Sequence, residues 1–390
     1  MNVLIVNTLY YPFNKGGAEK SVRLLAEELV LQGFNVYVLT LNDKQEVETY
    51  THNGVVIKSI PIPNIYWPDT HKKSVLKRIA WHILDIYNVK IFSILNSVFK
   101  GIEFDIVHTN NLSGFSVSVW SWAHKRGYPI THTARDYYLF HPNCTMYSNG
   151  ENLSPHTLKN KLLSAIKKYN SQKVSHFVGI SNFIRKFHIE NGFFRNATDT
   201  TIYNSIELGS VNKNVKKLDG NKYVFGYIGR LDKEKGIEFL LDSIKESGNK
   251  IRLLIAGAGD EDYVELLKNK SDTMDVHFLG KVAPAHFFES VDFTIVPSLW
   301  YEPMGRVVIE SFSYGVPVIG SELGGIGELI DIDITGFKFE AGNKESLITA
   351  LNNVNKINYK EMSNNCIYQS TLYTTKKMTN KYIEVFNSKG

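Results

Sequence analysis

Glu302 and Glu310 bracket the stretch "EPMGRVVIE", two carboxylates with seven residues between them. Pro303 disfavours a helical conformation at Glu302, so Glu302 ends an irregular loop. A helix beginning near Gly305 then carries Glu310 in its early turns. A carboxylate accepts hydrogen bonds from vicinal hydroxyls, and two at this spacing can hold two hydroxylated rings. The alternative is a solvent-facing Glu310 with Glu302 as a favourable charge near a helix start. Upstream, "GRLDKEKG" places Arg230 and Lys235 around a short turn that opens a helix near Gly236. Arg offers a planar fork of donors to phosphate oxygens, Lys a point charge, and the helix start adds free N–H groups. The alternative there is a solvated turn. Gly324 and Gly325 in "ELGGIGELI", and Gly16 and Gly17 in "NKGGAEK", lie before helices and allow a backbone to approach a ligand closely.

These stretches need elements to position them. Apolar, β-rich runs recur through the chain: "NVLIVN", "NVYVLT", "FDIVHTN", "PITHTA", "HFVGIS" and "TTIYNS", then "YVFGYIGR", "IRLLIAGAG", "VHFLG", "FTIVPS" and "PVIGS". Helical patterns lie between them. In "AEKSVRLLAEELVLQG", Val22, Leu25, Ala26, Leu29 and Val30 form one stripe and Gly33 is the stop. Buried strands alternating with helices predict parallel sheets covered on both faces. The pattern restarts after the Lys-rich "ELGSVNKNVKKLDGNK", which reads as a linker. Two doubly wound α/β domains follow, residues 1–205 and 206–373, with a last helix at about 374–390 packing back on the first. In open α/β sheets ligands bind beyond the carboxyl ends of the strands. All four candidate stretches follow strands.

Composition bounds the chemistry. The chain has 390 residues, too many for one core. Cys144 and Cys366 are its only cysteines, far apart and outside any CxxC, so neither a disulfide framework nor a zinc site is indicated. A reducing cytoplasm fits, with no leader read before the first strand and no run able to span a bilayer. Residues 1–205 carry 22 Lys+Arg against 14 Asp+Glu, residues 206–390 carry 22 against 25. The basic first half and slightly acidic second suggest different surfaces. "DED" at Asp260 and "DID" at Asp331 read as loop acidity rather than metal sites.

Taken together, the GR with its nearby Lys, the Glu–x7–Glu and the GG turn resemble family 4 of the retaining nucleotide-sugar glycosyltransferases, which have the GT-B fold: two Rossmann-like domains facing across a cleft. "GGAEKSVRLLAEEL", "GISNFIRKFHIENGF", "IYNSIE" and "GVPVIGSELGGIGELI" extend the resemblance over nearly the whole chain. It implies transfer of a hexose-like sugar from a UDP- or GDP-sugar to a saccharide or lipid-linked acceptor, with no cofactor and no metal. Arg230 and Lys235 would neutralise the departing diphosphate. Glu310 would hold the ribose hydroxyls, and Glu302 the transferred sugar, helped by the amides of Met304 and Gly305. Gly324 and Gly325 would approach the donor. The Gly16–Gly17 loop would close over phosphates and acceptor, and Lys281 and Val282 would lie near the base. Many relatives carry His–Asp or His–Thr after the strand matching "PITHTA"; here Arg135 and Asp136 stand in "TARDYYLFHP". Arg135 cannot act as a neutral base near pH 7. It would bind phosphate or sugar oxygens, with Asp136 orienting it or the acceptor. His108 and His132 read as structural.

For the acceptor, "SVLKRIAWHILDIYNVKIFSILNSVFK" shows one helical stripe from Leu76 to Val98, surrounded at its start by Lys72, Lys73, Lys77, Arg78, Trp67 and Trp81. A basic amphipathic helix can lie on an anionic membrane, at the inner face of the plasma membrane in this case. The alternative is a helix packed on the first domain. Two other functions fit the architecture: a nucleotide-sugar epimerase, and a sugar-nucleotide binder without catalysis. No nucleic-acid-binding motif accompanies the basic half.

Overall fold

The computed structural model describes residues 1–13, 16–68, 73–207, 223–248 and 251–388. Lys72 and residues 208–222, nearly all of the expected linker, lie outside them. The chain divides into two compact units, Met1–Met146 with Ser154–Ser205 and Thr375–Gly390, and Tyr147–Leu153 with Ile206–Thr374.

The first unit runs β1 (Asn2–Val6), α1 (Gly17–Leu31), β2 (Asn35–Asn42), β3 (Glu48–His52), β4 (Val55–Pro61), α2 (Val75–Ile86), α3 (Lys90–Val98), β5 (Ile106–Thr109), α4 (Ser118–Lys125) and β6 (Ile130–Ala134). A small hairpin follows, β7 (Tyr147–Ser148) and β8 (Glu151–Asn152), which belongs to the second unit. The chain then returns to the first through α5 (Leu158–Ser171), β9 (His176–Gly179), α6 (Asn182–Glu190) and β10 (Thr198–Thr201). The sheet order is β10-β9-β6-β5-β1-β2-β4-β3, parallel except for the antiparallel β3–β4 pair at its edge. β1, β5 and β6 are almost wholly buried because both faces are covered, which is why they read as unbroken apolar runs.

Three expectations are corrected here. β10 ends at Thr201, so Ile202–Ser205 of "TTIYNS" leave the sheet. The single helix expected over 74–100 is two, because Tyr87 is extended. Asn88 is buried at the break; its side chain donates to the Pro63 carbonyl and accepts from the Lys90 amide, starting α3. Trp81 is buried too, its indole donating to the Tyr66 carbonyl at 3.0 Å, so it is a packing residue and not a surface anchor.

The second unit continues with β11 (Val224–Ile228), α7 (Ile237–Ser247), β12 (Arg252–Ala256), α8 (Glu261–Lys270), β13 (Val276–Gly280), α9 (Pro284–Ser290), β14 (Phe293–Val296), α10 (Arg306–Ser313), β15 (Val318–Ser321), β16 (Gly336–Phe339), α11 (Lys344–Asn353) and α12 (Tyr359–Ser370). Its sheet is all parallel, in the order β13-β12-β11-β14-β15-β16. Leu240, Leu241, Leu253, Ile295 and Ile319 are fully or almost fully buried in its core. The last helix, α13 (Thr375–Asn387), joins the first unit's core through Met378, Tyr382 and Phe386.

Strand order reverses between β11 and β14: β12 and β13 extend to one side, β15 and β16 to the other. Such a switch point opens a crevice between the loops leaving the two central strands. Arg230 and Lys235 follow β11, and Glu302 follows β14.

Candidate active site

The loop leaving β11 makes a tight turn, Lys233–Lys235, before Gly236 takes a left-handed conformation and starts α7. A Cβ at Gly236 would fall on the Pro297 carbonyl, so glycine lets this turn lie directly against the loop leaving β14. The Leu299 amide also donates to the Glu234 carbonyl at 2.9 Å. That contact brings Lys235 to Glu302: its Nζ donates to Glu302 Oε2 at 2.7 Å, with both side chains less than one-fifth exposed. The Trp300 indole donates to the same oxygen at 2.9 Å, and Lys235 Nζ lies 5.1 Å from the Trp300 ring centroid. Oε1 of Glu302 makes no hydrogen bond among the described residues. The result is one carboxylate oxygen fixed and one left to accept from a ligand, beside a cation held over an aromatic face.

Gly324 and Gly325 define the next wall. Gly325 donates its amide to the Glu302 carbonyl at 2.8 Å. Gly324 is left-handed (φ 66°), and a Cβ on it would stand 2.5 Å from that carbonyl oxygen and 2.7 Å from the Glu302 nitrogen. Gly305, also left-handed, starts α10 against Ile326. One turn on, Arg306 Nε donates to Glu310 Oε1 at 2.8 Å, orienting a part-exposed carboxylate.

The remaining expected residues in this unit are less committed. Arg230 is about two-thirds exposed and pairs with Asp232 at 2.8 Å. Lys281 is exposed and Val282 half-buried, just after β13 at the sheet edge. Asp260 caps α8 by accepting from the Tyr263 amide. Among the described residues no group of three His, Cys, Asp or Glu side chains could hold a metal ion.

In the first unit, Gly16 caps α1 in an extended conformation, and Glu19 is buried in that helix's first turn. Arg135 follows β6 and is buried. Its Nε donates to Asn110 Oδ1 at 2.8 Å, and its Nη1 donates to Asn204. Asn110 follows β5 and Asn204 follows β10, so this guanidinium ties three chain segments together beyond the strand ends. Asp136 is half-buried and accepts from the Tyr138 amide at 2.8 Å. Burial pushes its carboxyl up to about 6, against the pull of that amide and of Lys167.

The family model for Glycosyltransferase Family 4 matches residues 15–209, and that for Glycosyl transferases group 1 matches residues 210–372. The chain belongs to the family 4 glycosyltransferases. It is 40% identical over 330 residues to a Klebsiella pneumoniae protein known as an uncharacterized 42.6 kDa protein in the cps region, covering 84% of this chain and 87% of that one. Its fold matches the sucrose-phosphate synthase of Thermosynechococcus elongatus with a TM-score of 0.76 over 99% of this chain and 98% of that one, at 17% identity. It also matches Anabaena HepE in complex with UDP, with a TM-score of 0.71 over the whole of both chains, again at 17% identity. The glycosyltransferase therefore has the GT-B fold.

Sequence reasoning on this glycosyltransferase missed Trp300, Arg306 and Asn152. The i,i+4 spacing of Arg306 and Glu310 was a usable signal. Asn152 had none: from the β7–β8 hairpin, its amide donates to the Leu299 carbonyl and accepts from the Tyr301 amide, each at 3.0 Å. It clamps the backbone on both sides of Trp300.

The buried histidines are structural. His108 bonds Thr133 at 2.8 Å, and His132 bonds Thr109 at 2.9 Å. Burial, with Arg135 nearby, pushes His108 down to about 3, and burial pushes His188 down to about 4. Depressed values mean stability that is present above pH ~6.5 and lost as pH falls through about 4 and 3. Burial raises Asp85 and Asp136 to about 6, and their contribution runs the other way, lost as pH rises through 6. The histidines are thus best read individually. NMR of the imidazoles is expected to show His108 and His188 neutral and untitrated from pH 7 to pH 5; a midpoint near 6.5 for either overturns this.

Proposed function

We propose that this glycosyltransferase moves a hexose-like sugar, with retention of configuration, from a UDP- or GDP-sugar to a saccharide or lipid-linked acceptor in the synthesis of a bacterial surface polysaccharide. The observation that carries it is the Lys235–Glu302–Trp300 cluster at the switch point of the second unit. Breaking a glycosyl–phosphate bond leaves the electron pair, and so negative charge, on the diphosphate, and an oxocarbenium-like sugar. Lys235 and the exposed Arg230 supply fixed positive charge for the diphosphate. Glu302 Oε1 accepts from the sugar's hydroxyls, and Glu310, steered by Arg306, accepts from the ribose. The amides of Met304 and Gly305 and the close backbone of Gly324 and Gly325 complete the donor site, with Lys281 and Val282 by the base. Gly16, Gly17, Arg135 and Asp136 serve the phosphates and the acceptor, Arg135 by holding strand ends together and Asp136 by orienting an acceptor hydroxyl.

The UDP bound in HepE supports a nucleotide-sugar donor, and the cps region of the Klebsiella relative supports a polysaccharide product. The acceptor is met at the inner face of the plasma membrane. No helix among the described residues is long and apolar enough to cross a membrane.

A thermal-shift screen of UDP- and GDP-sugars is expected to give one donor a stabilisation of several degrees. With that donor and a polysaccharide-repeat acceptor, transfer should persist in excess EDTA, since the cations are built in. No stabilisation by any nucleotide sugar overturns the donor reading, and rearranged sugar formed without acceptor favours the epimerase.

A further inference from the structure

α2 and α5 of the first unit flank a groove of about 540 Å³, closed along one side by the loop after β6. α2 contributes Arg78, Ile79 and Ile83, α5 contributes Lys159 and Leu163, and the loop contributes His141. Most of the lining is carbon, with the cations of Arg78 and Lys159 set on opposite helices. The Asn143 amide donates to His141 Nδ1 at 3.2 Å, which leaves the proton on Nε2 and makes that nitrogen a donor.

The outer faces of the same helices are apolar and open to solvent. Leu76 is 79% exposed on α2, and Leu158 75% and Leu162 68% on α5; Ile83, on the groove itself, is 62% exposed. Of the 21 strongly exposed large apolar side chains among the described residues, nine lie on these two helices, a concentration rather than a scatter. Between them Lys73, Lys77, Lys161 and Lys168 supply further positive charge. The only acidic residue on either helix is Asp85, which is buried.

Apolar chains rimmed by cations, without an exposed carboxylate, suit a partner that is itself apolar with an anionic rim. A second copy of this chain would bring like charge to the contact. We infer that the α2–α5 groove is a binding site for an anionic bilayer phospholipid, its phosphate between Arg78 and Lys159 and its chain along Ile79, Ile83 and Leu163. The inference deepens the proposed function, resting on a membrane-borne acceptor: the groove would seat the first unit on the surface that carries it. The exposed leucines of α2 and α5 enter the interface beside the groove, and the lysines face the headgroups.

The test uses the full chain. Flotation with phosphatidylcholine vesicles holding about 30% phosphatidylglycerol is expected to recover the protein, and pure phosphatidylcholine is expected not to. Arg78→Ala with Lys159→Ala should weaken binding roughly 30-fold, at about 1 kcal/mol per basic residue near an anionic surface. Ile83→Asp should abolish it without lowering Tm, since the side chain is exposed. Monomeric dihexanoylphosphatidylglycerol should shift the NMR signals of His141 and Ile83, and millimolar inorganic phosphate should not displace it. Displacement by phosphate would make this a free-anion site. Vesicle binding indifferent to phosphatidylglycerol or to the Arg78 and Lys159 changes, or a dimer broken by Ile83→Asp, would also overturn the lipid site. UDP and GDP binding, measured in the same variants, should stay at wild-type values; their loss from the wild-type protein as well would be a failure of the donor reading, not of this one.

Discussion

Lys235→Ala and Glu302→Gln are each expected to lower kcat for sugar transfer by about 10²–10³-fold, the loss typical of removing one preorganised group from a charge-developing transition state. In the proposed function Lys235 supplies the charge that meets the departing diphosphate, so its removal would strike the transition state harder than the ground state. Glu302→Gln keeps the shape of the side chain but removes the charge that fixes Lys235 Nζ at 2.7 Å. The structural cost is small by comparison. Both side chains are under one-fifth exposed and neither is fully desolvated, so breaking the pair costs between a surface and a buried ion pair, about 1–2 kcal/mol. For a protein of this size that is a shift of a few degrees in Tm. The double variant Lys235→Met/Glu302→Gln should be no slower than the slower single, because the two act as one unit, and should regain part of the Tm. Initial rates with the donor found by thermal shift, and calorimetry on the same samples, decide the matter. Wild-type kcat in either single variant removes this pair from the site.

The pair also marks the limit of what the sequence could disclose. Strands such as β1, β5, β11 and β14 were legible because both their faces are buried, leaving apolar runs with no alternation. β3 escaped because it is an edge strand whose residues alternate between half-buried and exposed with little apolar content. β16 escaped because "GFKF" is only four residues long with a lysine inside. The break between α2 and α3 could not be read either. The apolar period continues across Tyr87–Val89 without a Gly or Pro, and what stops the helix is Asn88 bonding to Pro63 and Ser116, residues about 25 positions away on either side. The site followed the same logic. Glycines, acids and bases just after strands were visible as types. That Lys235 meets Glu302 across 67 positions was not, nor that Asn152 holds the Tyr301 amide beside Trp300 from 149 positions away. Arg135 was likewise visible only as a type, a cation after a strand; that its Nε and Nη1 donate to the buried Asn110 and Asn204 side chains was not.

Gly324→Ala is expected to reduce kcat/KM by at least about 100-fold, while Gly342→Ala leaves it unchanged. Both glycines are left-handed, with φ of 66° and 76°, so each substitution carries the same conformational penalty, about 1–2 kcal/mol. They differ in what the new methyl meets. At Gly342 nothing lies within 4 Å. At Gly324 the Cβ would stand 2.5 Å from the Glu302 carbonyl oxygen and 2.7 Å from its nitrogen, both backbone atoms that cannot turn aside. The Glu302 backbone would have to withdraw, and the Gly325 amide that donates to its carbonyl at 2.8 Å would lose its partner. Movement of the backbone carries the side chain with it, pulling Oε2 away from Lys235 and the Trp300 indole. Displacements of about 1 Å at a positioned catalytic group cost on the order of 100-fold. Gly324→Ala should lose the larger Tm, because the clash and the lost hydrogen bond add to the shared penalty, and only it should lose activity when both are assayed well below their transitions. Equal activities in the two folded variants would mean that the "GG" turn sets chain direction alone and that Glu302 is held in place by Lys235 and Trp300 without it.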